Sequence, residues 1–189
     1  MDSYLRPVIQ TMIRYGVIEG EDEEVYIFGL KSLLIYLVNI FTVIIIGWSM
    51  GMLGYGIVML LAIMLLRSYA GGYHAPNFVS CYILSSLSVV AILYIQKHIV
   101  FPNIAAISVL LAADILIWAF APLPDQNRPL TNNETIVYRK IARIILVAES
   151  ILALIFIGLE NDYGQLLIST ICLCAIGFLA YLFKRSRHS

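Results

Sequence analysis

Apolar residues in this chain fall into long blocks separated by short polar breaks, most blocks close to the length that crosses a bilayer as a helix. The first stretch is different. Tyr4, Leu5, Val8, Ile9, Met12 and Ile13 recur at helical spacing among polar residues, which predicts an amphipathic helix within residues 1–20. Ser3 is placed to cap it, and Pro7 is tolerated only near a helix start. A helix lying in the membrane surface and a cytosolic helix packed on the protein's own loops both fit; the interfacial arrangement is the expectation taken forward. It is not a signal peptide, because Asp2 stands where positive charge belongs and no continuous apolar core follows.

An acidic cluster over 19–24 comes next, with Asp22, Glu23 and Glu24 suited to a first helical turn. Apolar blocks then cover 25–47, a shorter run ending at Leu66, 78–96, 104–120, a run ending near Leu159 and a last one ending near Phe183. The predicted fold is therefore all-α: a polytopic membrane protein of about six transmembrane helices plus the N-terminal amphipathic helix, in a single domain over 1–189.

Composition agrees. The 189 residues are 61% hydrophobic and 13% charged, with mean hydropathy +0.89, against about 25% charged residues in ordinary globular domains. Net charge is zero, so no global field points to nucleic acid as a partner. Cys81, Cys172 and Cys174 make no disulfide framework. The last two lie two apart in an apolar run, face different directions on a helix, and read as packing residues. No zinc pattern, phosphate loop or dinucleotide fingerprint is present, so neither metal nor cofactor is expected.

Lysine and arginine placement orients the chain. With a cytosolic N-terminus and six crossings, Arg6, Arg14, Arg67, Arg128, Arg139, Lys140, Arg143, Lys184, Arg185 and Arg187 fall on the cytosolic side. Lys97 alone falls outside, and Lys31 lies just inside the first span.

The chemistry concentrates in residues 67–81, RSYAGGYHAPNFVSC. A cysteine attacks as the thiolate, and a nearby histidine can take its proton. His74 and Cys81 are seven apart; on one straight helix that is two turns, roughly 10.5 Å, too far for a hydrogen bond. The two can cooperate only if the helix is broken between them. Gly71 and Gly72 permit the break, Pro76 pushes Ala75 out of the α region, and Asn77 can cap a helix starting at Phe78. Cys81 then falls in the first turns of that helix, where free N–H groups and the dipole favour an anion. The bland reading is a small buried cysteine and a satisfied histidine.

Arg-x3-Gly-Gly-x-His-x6-Cys between two hydrophobic segments resembles the accessory gene regulator protein B (AgrB) family, integral-membrane cysteine endopeptidases of Gram-positive bacteria. The resemblance covers the chain's length and hydrophobic layout. It implies that His74 and Cys81 are catalytic and that Arg67, Gly71 and Gly72 bind substrate or brace a catalytic loop over 67–77. It implies a substrate as well: an AgrD-like precursor of a cyclic autoinducing peptide used in quorum sensing. Cleavage of its C-terminal tail would leave a thioester on Cys81, from which an internal substrate thiol or hydroxyl closes the thiolactone or lactone ring. The family is thought to self-associate, so a homodimer in the bacterial cell membrane is the expected assembly.

A second polar stretch, 121–140, contains APLPDQNRPL and is expected as a cytosolic loop. It is either a connector or a substrate platform on which Arg128, Arg139 and Lys140 attract an acidic peptide tail. Glu23, Glu24 and Asp125 are the candidates from the same face to orient His74. Asp114 and Glu149 sit mid-span, where facing lipid would cost about 2.5–3.5 kcal/mol each. They should face the bundle interior, as structural hydrogen-bonding groups, as a lining of a peptide path, or in support of His74. They also carry the alternative readings, in which the chain is a small transporter or channel, or a membrane scaffold.

Overall fold

The computed structural model describes residues 2–72, 78–123 and 131–186, and every regular element among them is helical. In chain order these are α1 (Asp2–Arg14), a 3-10 turn (Gly20–Asp22), α2 (Glu23–Ser49), α3 (Leu53–Ala70), α4 (Phe78–His98), α5 (Asn103–Phe120), α6 (Asn132–Gly158) and α7 (Tyr163–Ser186). The chain divides into two compact units, 1–42 and 43–189.

In the first unit, α1 turns its apolar side onto its own chain. Ile9, only 1% exposed, forms a small cluster with Ile18 and Ile27, flanked by Met12, Ile13 and Leu30. The amphipathic pattern is thus at least partly satisfied within the unit. Arg6 Nη2 donates to Glu24 Oε1 at 3.3 Å.

In the second unit, α7 is the hub, packing against α3, α4, α5 and α6. Its Leu166, Ile171 and Phe178 are completely enclosed. The core cluster that α7 shares with its neighbours includes many small residues: Ala62 and Ala70 on α3, Ala106 and Ala113 on α5, Ala142 and Ala153 on α6. Lipid tails are as apolar as leucine, so such contacts gain by close approach rather than by escape from water. Gly164 is the extreme case. A Cβ there would stand 2.7 Å from the Ile157 nitrogen, so only glycine lets the start of α7 lie this close to the end of α6.

Among the described residues, five helices are long and apolar enough to cross a membrane: α3, α4, α5, α6 and α7. They agree with the expected polytopic all-α architecture of about six spans. In α2, which opens with Glu23 and Glu24, the described apolar stretch is Leu33–Ser49. The short second block is instead a full candidate span, since α3 continues past Leu66 to Ala70. The chain is a multi-pass membrane protein.

One end of this bundle is laced by long-range hydrogen bonds. Lys97 Nζ donates to the Met50 carbonyl (3.0 Å), Gln96 Nε2 to that of Asp162 (2.9 Å) and Gln165 Nε2 to that of Phe101 (2.9 Å). The α2–α3, α4–α5 and α6–α7 connections therefore share one end.

Candidate functional site

The opposite end holds the end of α3 and the start of α4, the described parts of the 67–81 motif. Arg67 lies in the last turn of α3, so the expected loop over 67–77 starts later, at Gly71; the apolar face of α3 carries the helix through Leu66 and Ala70. Gly71 ends the helix at φ +77°, its N–H donating to the Arg67 carbonyl at 3.1 Å. Gly72 follows at φ +155°, with the Arg67 guanidinium against it: a Cβ on Gly72 would be 3.3 Å from Nε and 3.4 Å from Nη2.

This end is also tied to the stretch after α5. The Leu123 N–H donates to the Ala70 carbonyl at 2.9 Å, and a Cβ on Gly71 would come within 2.7 Å of the Leu123 carbonyl oxygen. The rings of Tyr69 and Tyr138 meet nearby, their centroids 5.5 Å apart. The end of α3, the segment leaving α5 and the opening turns of α6 thus converge.

Helix α4 begins at Phe78, as the spacing predicted, and places Cys81 in its opening turn. The first N–H groups of a helix have no intrahelical acceptor, and Cys81 stands at the fourth helical position, directly after them. The side chain is half-buried and the thiol is free. Cys172 is half-buried and Cys174 buried in the main core cluster on α7, in keeping with packing roles.

His74, Asp125 and Arg128 lie outside the described residues. Glu23 and Glu24 open α2 in the other unit, where Glu24, 79% exposed, is engaged by Arg6. Among the described residues no group of three or more His, Cys, Asp or Glu is gathered to hold a metal ion.

The expected loop over 121–140 ends early, because α6 begins at Asn132. Thr131 and Glu134 form a reciprocal capping box: Glu134 N donates to Thr131 Oγ1 (3.3 Å) and Thr131 N to Glu134 Oε2 (2.9 Å). Thr-x-x-Glu was the sequence signal for this start. Arg139 and Lys140 are consequently exposed positions on a helix, not on a loop. Sequence reasoning also missed Arg143. Its guanidinium stacks over the Trp118 ring at 4.5 Å from the centroid, and its Nη2 donates to the Trp118 carbonyl at 3.2 Å. A contact across 25 residues leaves no local trace in sequence.

Of the two mid-span carboxylates, Glu149 is turned inward, 8% exposed, with both oxygens lacking a partner among the described residues. Asp114 is half-buried; its Oδ1 lies 3.0 Å from Ser150 Oγ, whose single proton is also within reach of the Leu146 carbonyl (2.8 Å).

No solved structure matches this chain. A protein of Clostridium acetobutylicum described as AgrB-like is 28% identical over 102 residues, 54% of this chain and 49% of that protein, so the match spans about half the length of each. The family model for accessory gene regulator B matches residues 6–183, nearly the whole chain. With that coverage, the chain belongs to the accessory gene regulator B family.

Proposed function

We propose that this chain is a membrane-embedded cysteine endopeptidase that removes the C-terminal tail from an AgrD-like quorum-sensing precursor. The observation that carries the reading is the position of Cys81. It lies in the opening turn of α4, directly after the glycine-broken segment that contains His74. Membership of a family associated with quorum-sensing peptide processing supports it.

His74 takes the Cys81 proton, and the thiolate adds to the carbonyl carbon of the scissile peptide bond. The oxyanion is met by backbone N–H groups at the start of α4. Collapse of the adduct breaks the C–N bond, and the imidazolium returns its proton to the departing amine. A thioester remains. An internal substrate thiol then adds to the same carbonyl, Cys81 leaves as thiolate, and the ring closes without ATP because one thioester replaces another. Arg67, Gly71 and Gly72 set the path of the loop, and Arg128 meets the acidic tail.

The motif end is cytosolic in this proposal. If α3 to α7 each cross once, the motif end collects Arg67, Arg128, Arg139, Lys140, Arg143, Lys184, Arg185 and Arg187, against Lys97 at the other end. That bias holds whether or not α2 crosses. A precursor made in the cytosol then reaches the site directly.

The deciding experiment is co-expression with a precursor peptide. Cys81→Ala inserts normally and leaves the precursor whole, while Cys172→Ala and Cys174→Ala still cleave it. Cleavage by Cys81→Ala would end the cysteine mechanism.

A further inference from the structure

A groove of about 680 Å³ runs down the outside of α6 with Trp118 of α5 as its side wall. Its lining residues on α6 recur every three or four positions, so they form one stripe. The stripe has two chemically distinct halves. Arg139, Lys140 and Arg143 stand at the end near the motif; Ile144, Val147 and Ile151 continue into the span, all three exposed on the protein surface. Arg143 is fixed in place by the Trp118 ring and carbonyl, yet its Nε is shut off from solvent and has no acceptor among the described residues. No carboxylate lines the groove among the described residues.

We propose that this groove holds one anionic phospholipid. Its phosphate sits on Arg143 with Arg139 and Lys140 around it, and one acyl chain lies along Ile144, Val147 and Ile151. The depth fits: from Arg143 to Ile151 is about 12 Å along the helix, most of one leaflet's hydrocarbon depth of about 15 Å. Charge complementarity fits too, since basic pockets between transmembrane helices recognise lipid headgroups. An acidic peptide suits the cationic end but not the apolar one, where its backbone amides would lie unpartnered in hydrocarbon. Cys81, on α4, is not among the residues that line the groove.

The test uses full-length protein in neutral detergent, offered phosphatidylglycerol and phosphatidylcholine with identical acyl chains, with retained lipid read by native mass spectrometry. Phosphatidylglycerol is preferred by the wild type. Combined Arg139→Gln, Lys140→Gln and Arg143→Gln lowers that preference about tenfold or more. Val147→Trp, which fills the acyl slot without touching a charge, lowers phosphatidylglycerol retention as well. If the triple variant does not fold, judged by its thermal melt, the exposed pair Arg139→Gln with Lys140→Gln and the Val147→Trp variant decide. Equal retention of the two lipids, or a preference unchanged in the variants, overturns the proposal. So does displacement by millimolar inorganic phosphate, which needs no chain slot, or by an acidic peptide, which would make the groove a peptide site.

Discussion

The amide of Leu123 is hydrogen-bonded to the carbonyl of Ala70 at 2.9 Å, joining the last residue of α3 to the segment that leaves α5. This bond fastens the root of the motif loop to the root of the proline-rich one. Whatever shifts one loop at its base is felt by the other.

Gly71→Ala should break that junction. The new methyl would meet the Leu123 carbonyl oxygen at 2.7 Å and the residue would be held at φ +77°, a combined strain of about 1–3 kcal/mol. Gly72→Ala carries backbone strain of its own at φ +155° but is expected to be milder, because its methyl would meet the movable tip of Arg67 rather than a backbone oxygen. Thermal unfolding in detergent, read beside precursor cleavage, should rank Gly71→Ala below Gly72→Ala. The reverse order would mean that the junction is not what glycine protects.

Topology can be read by thiol labelling in a background with Cys81, Cys172 and Cys174 replaced by Ala. A cysteine at Asn77 should resist an impermeant reagent in intact cells and react in inverted vesicles. One at Val100, at the laced end of the bundle, should do the opposite. Labelling of Asn77→Cys from outside would reverse the orientation proposed above.

Glu149→Gln should keep or raise the melting temperature and preserve cleavage. The glutamate buries two carboxyl oxygens with no partner among the described residues, and removing a potential charge from such a site relieves desolvation cost. Ser150→Ala should instead lower stability by about 0.6–1 kcal/mol, by taking away the hydroxyl beside Asp114. A folded Glu149→Gln protein that fails to cleave would give the carboxylate a chemical role.

Thr131→Ala should cost about 1 kcal/mol by removing the cap of α6, with Thr131→Ser restoring it. The same melts measure both. No change would show that the box is redundant with the packing of the helix beyond it.

Much of this was legible in the chain. Apolar block length announced the all-helical membrane architecture, and Pro76 with Asn77 placed the start of α4 at Phe78, where it is found. The exits were harder. Arg67 and Ser68 are polar, so the end of α3 seemed to come at Leu66, although packing of Leu66 and Ala70 against the core carries the helix one turn further. A proline cluster drew attention away from Thr131 and Glu134, whose local hydrogen bonds decide where α6 begins. Pairings such as Ala70 with Leu123, or Arg143 with Trp118, depend on which helices become neighbours, and residue spacing carries no record of that.

The central place of α7 has a consequence for synthesis. Helices α3 to α6 leave the ribosome before the helix against which all of them pack. They can enter the membrane one after another, and α3 and α5 can meet α6, but the core that α7 shares with all four cannot close until it follows. Assembly therefore waits for translation of the C-terminal region. A chain stalled within the α6–α7 turn would be inserted yet unassembled, displaying its alanine stripes and buried Glu149 to the membrane's quality-control proteases.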